Sequence, residues 1–260
     1  MRPVSRGGRA VTYSKVGLMV LKEHFQQRPI DATFSSFRSM VPLRTPSGAQ
    51  HVESELEAEL LEQLAFAPGT YDLLTQPIIE YATNGRTRRY TPDIVVQLHA
   101  SLDDGPCRYV IEVKRRADLI ANATQYAPKF QAGRVAAENM GAAFRIMAED
   151  RIRTPYLTNA RLLRRHLDSD PELAAFDLIR RELGTQGVTV TEAIRLLCGL
   201  GMEEPDIRAG IEQAVAWRML LCDLARPFND SSVVRAREPG EQPGRNHDPL
   251  LRSLLDAVSA

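Results

Sequence analysis

Tyr90-Thr-Pro-Asp93, running on into Ile94-Val-Val-Gln-Leu98, and Tyr109-Val-Ile-Glu-Val-Lys114 are the stretches on which the reading of this chain turns. Both are short apolar runs, the pattern of strands. Strand side chains alternate faces, so Glu112 and Lys114 point one way and Ile111 and Val113 the other. Asp93 opens one run and Glu112 and Lys114 close the other. Paired across a hairpin, these ends bring two acids and a lysine to one edge of a small sheet.

A third acid comes from upstream. Residues 52–66 read as a helix, with Leu56, Leu60, Leu61 and Leu64 at helical spacing. Glu57 stands three, four and seven residues from the last three of these, so it projects from the apolar stripe. Glu55, Glu59 and Glu62 are expected to face solvent. An acid on a core-facing stripe is costly unless paired or metal-bound. Two readings of Glu57 stand: a metal-ligating carboxylate, or the Glu of a capping box, since Ser54-x-x-Glu57 fits that pattern. Glu57, Asp93 and Glu112 together suit Mg²⁺, a hard cation that prefers oxygen ligands. A lysine beside them can orient a water or steady charge on a phosphate. That is the outline of a metal-dependent phosphodiesterase site.

Composition sets wider bounds. The chain has 260 residues, 43% of them apolar and 25% charged, as expected of a globular protein with one large or two ordinary domains. No apolar run approaches membrane-spanning length, and no apolar core follows the N-terminal arginines as a secretory signal requires. Three widely spaced cysteines point to a reducing cytoplasm and away from a thiolate metal site. Net charge is zero, which argues against a generic DNA-coating protein. The basic residues are nevertheless clustered. Arg2, Arg6, Arg9, Lys15, Lys22, Arg28, Arg38 and Arg44 form one group, and Arg145, Arg151, Arg153, Arg161, Arg164 and Arg165 another. Such groups either contact phosphates or coat a solvated surface.

In order, residues 1–50 read as a basic N-terminal arm with one short helix near Val16–Phe25 and a loop at Ser35-Ser-Phe-Arg38. Strands are expected over 71–81 and 87–98, joined by an Asn84-Gly85 hairpin turn. Asp103-Asp-Gly-Pro106 turns into a third strand, 107–114. A helix over 123–140 ends at Gly141, and a last strand covers 143–148. This order predicts an α/β fold, a mixed sheet flanked by helices. After a linker helix from Pro155 to His166, residues 172–183, 192–197 (capped by Thr191) and 206–216 read as three helices. Residues 219–224 and 233–237 read as a hairpin. This is the outline of an α+β winged-helix domain, which binds DNA or a protein partner. Its third helix offers only Arg208 and Arg218 to DNA, which favours a partner or a supporting role. Residues 238–248 lack apolar content and read as a flexible tether. Pro249–Val258 carries leucines at helical spacing, a tail helix that docks on a partner or packs back on its own domain.

Pro92-Asp93 followed by Glu112-Val-Lys114 resembles the PD-(D/E)xK nuclease superfamily. With Ser54-Glu-Leu-Glu57, Gln76-Pro77, Tyr90-Thr-Pro-Asp93, Ile111-Glu-Val-Lys114 and Phe144-Arg-Ile-Met-Ala-Glu-Asp-Arg-Ile152 in order, the chain resembles the TnsA endonucleases of cut-and-paste transposons over about residues 35–155. The resemblance implies a restriction-endonuclease-like nuclease domain over 51–155, a winged-helix domain over 156–237, and tether and tail over 238–260. It implies a DNA endonuclease that cuts the non-transferred strand at the 5′ ends of an element. Its partners would be double-stranded DNA of the transposon ends, the DDE transposase TnsB, and the AAA+ regulator TnsC through the C-terminal region. It implies Mg²⁺ (with Mn²⁺ as substitute) held by Glu57, Asp93, Glu112 and the Val113 carbonyl, with Lys114 positioning water or stabilising charge. Some family members carry Gln at the position of Glu112. Glu53, one turn before Glu57, is the substitute for it. Gln125, Tyr126 and Lys129 on the following helix are within reach of a phosphate or are plain surface residues. In-line attack of water on phosphorus would leave a 3′-hydroxyl and a 5′-phosphate. Two other expectations remain open, a stand-alone restriction or repair nuclease and a silent DNA- or protein-binding adaptor.

Overall fold

The structure is a computed structural model that describes residues 18–28, 39–99, 106–170, 173–238, 241 and 248–256. The expected Ser35–Arg38 loop, the start of the first helix, most of the Asp103–Pro106 turn and most of the tether lie outside these residues.

The chain opens with α1 (Leu21–His24), β1 (Gln26–Gln27), β2 (Ser39–Val41) and β3 (Gln50–Val52). The described part of the first fifty residues is thus tied into the fold. Leu21 is fully buried and its N–H donates to Asp72 Oδ2 at 2.7 Å. The predicted helix follows as α2 (Glu55–Phe66).

The expected long hairpin splits into four strands, β4 (Thr70–Thr75), β5 (Pro77–Thr83), β6 (Arg86–Tyr90) and β7 (Ile94–Leu98). Its turn is as predicted: Asn84 and Gly85 both have positive φ, 50° and 71°, which matches the right-handed twist of the flanking strands. Each arm then breaks. Gln76 has φ 47°, a left-handed conformation that ends β4, and opposite it Pro92 lacks the N–H a ladder needs. The Gln76 N–H bonds the Asp93 carbonyl at 3.0 Å and pins the two breaks together. The hairpin tip therefore leaves the main sheet and joins β1 in a separate sheet of order β1-β5-β6.

After β8 (Arg108–Val113), α3 (Arg116–Ala121) and α4 (Ala123–Asn139) cross over to β9 (Ala143–Met147), which pairs parallel with β8. The four-stranded mixed sheet runs β4-β7-β8-β9. Strand alternation sorts its two faces. Leu73, Ile94, Val96, Ile111 and Val113 pack in one cluster with Leu60 and Leu64 of α2. Leu74, Val95 and Val110 pack in the other with Phe130, Ala136 and Ala137 of α4.

Next come α5 (Glu149–Ile152) and α6 (Pro155–Leu163), with Pro155 in the first turn of α6 where a missing N–H costs nothing. The α6 helix lies on α2, and of the three α2 acids expected to face solvent it is Glu59 that departs: Glu59 is buried and bonded to Arg153 at 2.8 Å. Glu55 is exposed as expected and Glu62 is half-buried, and they meet Arg153 and Arg161.

The C-terminal half is α7 (Leu173–Leu183), β10 (Val188–Thr189), α8 (Val190–Cys198), α9 (Glu204–Ala216), β11 (Leu220–Cys222) and β12 (Val233–Ala236). The three helices and the hairpin fall where predicted. The short β10, which pairs with β12 in a sheet of order β10-β12-β11, was not foreseen. The cap of α8 is Thr189, not Thr191. Thr189 and Glu192 form a full capping box, while the Thr191 hydroxyl bonds the Asp230 carbonyl. Finally α10 (Pro249–Asp256) packs back on this chain, with Leu250, Leu251 and Leu254 buried in the same cluster as α2. Among the described residues no helix is long and apolar enough to cross a membrane.

Candidate active site

Register alone brings the acids together. Ile94 of β7 lies opposite Ile111 of β8, so the residue before one arrives at the residue after the other. Asp93 Oδ2 accepts the Val113 N–H at 2.6 Å, which gives that N–H an acceptor beyond the end of the β7–β8 ladder. The Lys114 ammonium then stands 3.0 Å from Asp93 Oδ2, 3.2 Å from Glu112 Oε2 and 2.8 Å from the Val113 carbonyl. An ammonium has three protons, and here three oxygens meet them.

Glu112 is fully buried. The Tyr90 hydroxyl donates to its Oε1, and Lys129 Nζ lies 2.7 Å from its Oε2. Lys129 reaches it because α4 lies close to the sheet. Gly133, one turn on from Lys129, makes that approach possible. A Cβ there would sit 2.5 Å from a Phe144 ring carbon and 2.7 Å from the Tyr90 oxygen, closer than packing allows.

Glu57 is held at the start of α2 by contacts with Ser54 and Glu53. The Ser54 cap is formed, since Ser54 Oγ accepts the Glu57 N–H at 3.2 Å and bonds Glu57 Oε1 at 2.9 Å, but the reciprocal half of the capping box is not: Glu57 Oε2 accepts the N–H of Glu53, at 3.1 Å, instead of that of Ser54. Glu57 is also buried and within reach of the Asp93 and Lys114 charges. Glu53 is turned away, paired with Arg28 at 2.8 Å. On α4, Tyr126 stacks on Phe130 and joins the core, and Gln125 is exposed with no hydrogen bond among the described residues. The sequence offers Lys129 as a phosphate contact or a plain surface residue and gives Tyr90 no role. The signal for Tyr90 was its spacing, three residues before Asp93 at the end of a strand.

The donor chemistry fits a hard cation: Asp93 Oδ2, Glu112 Oε2 and the Val113 carbonyl converge on one point, which the Lys114 ammonium occupies. Among the described residues no three His, Cys, Asp or Glu side chains stand together as a ready-made cage. The fit is therefore to two carboxylates and a carbonyl, with Glu57 held back on its cap.

The charges are mutually constrained. Burial pushes Glu112 above the ordinary glutamate range and Asp93 adds to it, while Lys129 and Lys114 pull the other way. Burial alone would lower the Lys114 ammonium, but Asp93 and Glu112 outweigh it and hold the amine above its ordinary value. Lys114 is thus a fixed cation. Burial, and next to it the Glu112 charge, raise the Tyr90 phenol far beyond titration, so it serves as a donor. Burial and then Asp93 raise Glu57. A carboxyl raised in the folded state contributes most below its unfolded value, near 4.5, and loses that contribution as pH rises through the folded value. Glu57→Gln keeps an oxygen for the cap and removes the charge. Its expected result is a higher melting temperature than wild type at neutral pH, a gain that disappears on acidification to about pH 4.5. Melting curves across that range check the sign.

The second arginine cluster is engaged internally. Arg145 donates to the Leu254 carbonyl and lies over the Tyr109 ring, and Arg151 bonds the Ser253 carbonyl. Arg153, Arg161 and Arg164 pair with acids of α2, and Arg165 with Glu212. These six arginines hold helices together instead of presenting a free basic face.

Two comparisons bear on the site. Residues 68–149 match the family described as TnsA-like endonuclease N terminal, a span that includes Tyr90, Asp93, Glu112, Lys114 and Lys129 but not Glu57. No curated protein matches the chain.

Proposed function

We propose, proceeding from the match of residues 68–149 to the TnsA-like endonuclease N-terminal family, that this chain is the TnsA-like subunit of a heteromeric transposase. In this reading it hydrolyses phosphodiester bonds of the non-transferred strand at the 5′ ends of a transposon. The observation that carries it is the Lys114 ammonium held by Asp93, Glu112 and the Val113 carbonyl at a sheet edge within that span.

The roles follow from the contacts. Lys114, cationic and fixed, steadies negative charge on the phosphate in the transition state. Asp93 and Glu112, with the Val113 carbonyl, are the oxygen donors for Mg²⁺ or Mn²⁺, which when bound would stabilise the attacking and leaving oxygens. Tyr90 and Lys129 hold the buried Glu112 in one orientation, and the Lys129 charge favours its ionised form. Glu57 adds negative charge from the helix side.

We read residues 173–236 as a winged-helix unit. The exposed start of α9 carries Glu204 and Asp206, and Arg208 is paired with Glu204 and Asp230. That charge favours a protein surface over a DNA groove. It agrees with docking of an AAA+ regulator on the C-terminal region, with a DDE transposase as the other partner and the bacterial cytoplasm as the setting. The test is cleavage of a duplex bearing a transposon end, with Mg²⁺, by the chain alone and with its cognate transposase. Cutting of the 5′-end strand only in the combined reaction is expected. Equal cutting of any plasmid by the isolated chain would identify a stand-alone nuclease instead.

A further inference from the structure

The arginines of β6 differ from those of the C-terminal cluster. Arg86 and Arg88 are exposed, and among the described residues neither has an ion pair or hydrogen bond. Arg89, between Arg88 and Tyr90, is paired with Glu80 across the hairpin at 2.9 Å. Alternation puts Arg86, Arg88 and Tyr90 on one face of the strand. The register agrees, setting Arg88 against Tyr81 and Tyr90 against Ile79, both buried. The Tyr90 hydroxyl touches Glu112, so this row of side chains ends at the active site. At a strand rise of about 3.4 Å per residue, Arg86 and Arg88 are roughly 7 Å apart and Arg86 is roughly 14 Å from Tyr90. A DNA strand carries one charge per about 3.4 Å of axis, so both guanidiniums can meet phosphates of one strand. The inner end of this face, at Tyr81 and Tyr90, packs against α4, and Arg86 and Arg88 lie beyond that cover at the exposed end of the hairpin.

We propose that the β5–β6 hairpin is a DNA-backbone clamp, in which Arg86 and Arg88 hold the phosphates flanking the scissile bond. The inference rests on the endonuclease reading for its ligand, and it assigns contacts that reading leaves open. Guanidinium forks suit phosphate oxygens, and contacts of this kind fix position without reading sequence.

The test is fluorescence anisotropy of the full chain on a duplex oligonucleotide of arbitrary sequence, over a salt series, without metal. The Arg86→Ala/Arg88→Ala variant is expected to bind roughly tenfold more weakly at low salt. The slope of log affinity against log salt should fall in magnitude by about 1.8, about 0.9 for each lost phosphate contact. Arg86→Lys/Arg88→Lys should retain the slope. Arg161→Ala/Arg164→Ala, whose side chains face Glu62, should also retain it. Both β6 side chains are exposed and unbonded, so the double variant should melt like wild type. A wild-type slope in the alanine variant, or no salt-dependent binding by wild type, overturns the clamp. Mg²⁺-dependent cleavage is scored separately, in the combined reaction with the transposase. Cutting by wild type with an unchanged slope in the variant defeats the clamp alone, and a lowered slope without any cutting defeats the endonuclease reading alone.

Discussion

Asp93→Ala is expected to lower strand cleavage by about a thousandfold or more while leaving the chain folded. One oxygen, Asp93 Oδ2, does two things: it accepts the Val113 N–H at 2.6 Å and fixes the Lys114 ammonium at 3.0 Å. Removing it takes away one of the two converging carboxylates and frees the lysine to swing toward Glu112 alone. Loss of a preorganised charge-stabilising group typically costs about 10²–10³ in rate, and loss of a metal-ligating oxygen adds to that. The stability cost is smaller, about 1–3 kcal/mol, because Asp93 sits at the sheet edge with 15% of its side chain exposed and water can replace it at the Val113 N–H. Lys114→Ala should fall in the same range of activity. Lys114→Arg should not restore it, since a planar fork does not reproduce three contacts made by one nitrogen. End-labelled duplex cut in the presence of Mg²⁺ and the proposed transposase partner gives the rates. Cleavage within tenfold of wild type in Asp93→Ala would mean that the reaction occurs elsewhere.

What the sequence showed and what it hid divide along one physical line. Asp93, Glu112 and Lys114 were legible because strand alternation and pairing are short-range rules, and the observed register obeys them. The Glu57 cap was legible because Ser54-x-x-Glu57 is decided within one helical turn. The break at Gln76 was not, since positive φ in a residue other than glycine is imposed by its surroundings. Nor was Lys129 as a Glu112 partner. That contact depends on how closely α4 approaches the sheet, which Gly133 and the Phe144 ring set between them. The arginines from Arg145 to Arg165 misled for the same reason. They read as a phosphate-contacting or solvated surface, and the partners of Arg153 and Arg161, which are Glu55, Glu59 and Glu62, are about a hundred residues away in sequence. Arg86 and Arg88 went unremarked because two arginines in a hairpin are ordinary. Their significance appears only once the arginines from Arg145 to Arg165 are found engaged within the fold.

Asp248→Ala is expected to be the most destabilising single change on the far side of the molecule, at about 3–5 kcal/mol. Asp248 is buried where three elements meet. Its Oδ2 accepts the Tyr156 hydroxyl of α6 at 2.6 Å and faces Arg218, after α9, at 3.4 Å. Its Oδ1 accepts the N–H groups of Leu250 and Leu251 at 3.1 and 3.2 Å, which caps α10. Arg218 is itself nearly buried and lies 4.2 Å over the Phe66 ring of α2. Burial, and then the Asp248 charge, keep Tyr156 a phenol, so the hydroxyl always needs an acceptor. Removing the carboxylate leaves a guanidinium without its counter-charge, a hydroxyl without its acceptor and a helix without its cap. Breaking a buried pair from one side costs about 3–5 kcal/mol, a large share of a typical total of about 5–15. At about 2–4 °C per kcal/mol for a chain of this size, the melting midpoint should fall by roughly 10 °C. Asp248→Asn keeps an oxygen for the cap and another polar atom for Tyr156, so it should lose less than half as much. The α10 helix should then exchange its amide protons ahead of α2, because Leu250, Leu251 and Leu254 remain in the core only while their helix is anchored. Thermal melts followed by circular dichroism, with hydrogen exchange of α10, measure both effects. A midpoint within 2 °C of wild type would show that leucine burial holds α10 without the clasp, and that Arg218 finds its charge partner elsewhere.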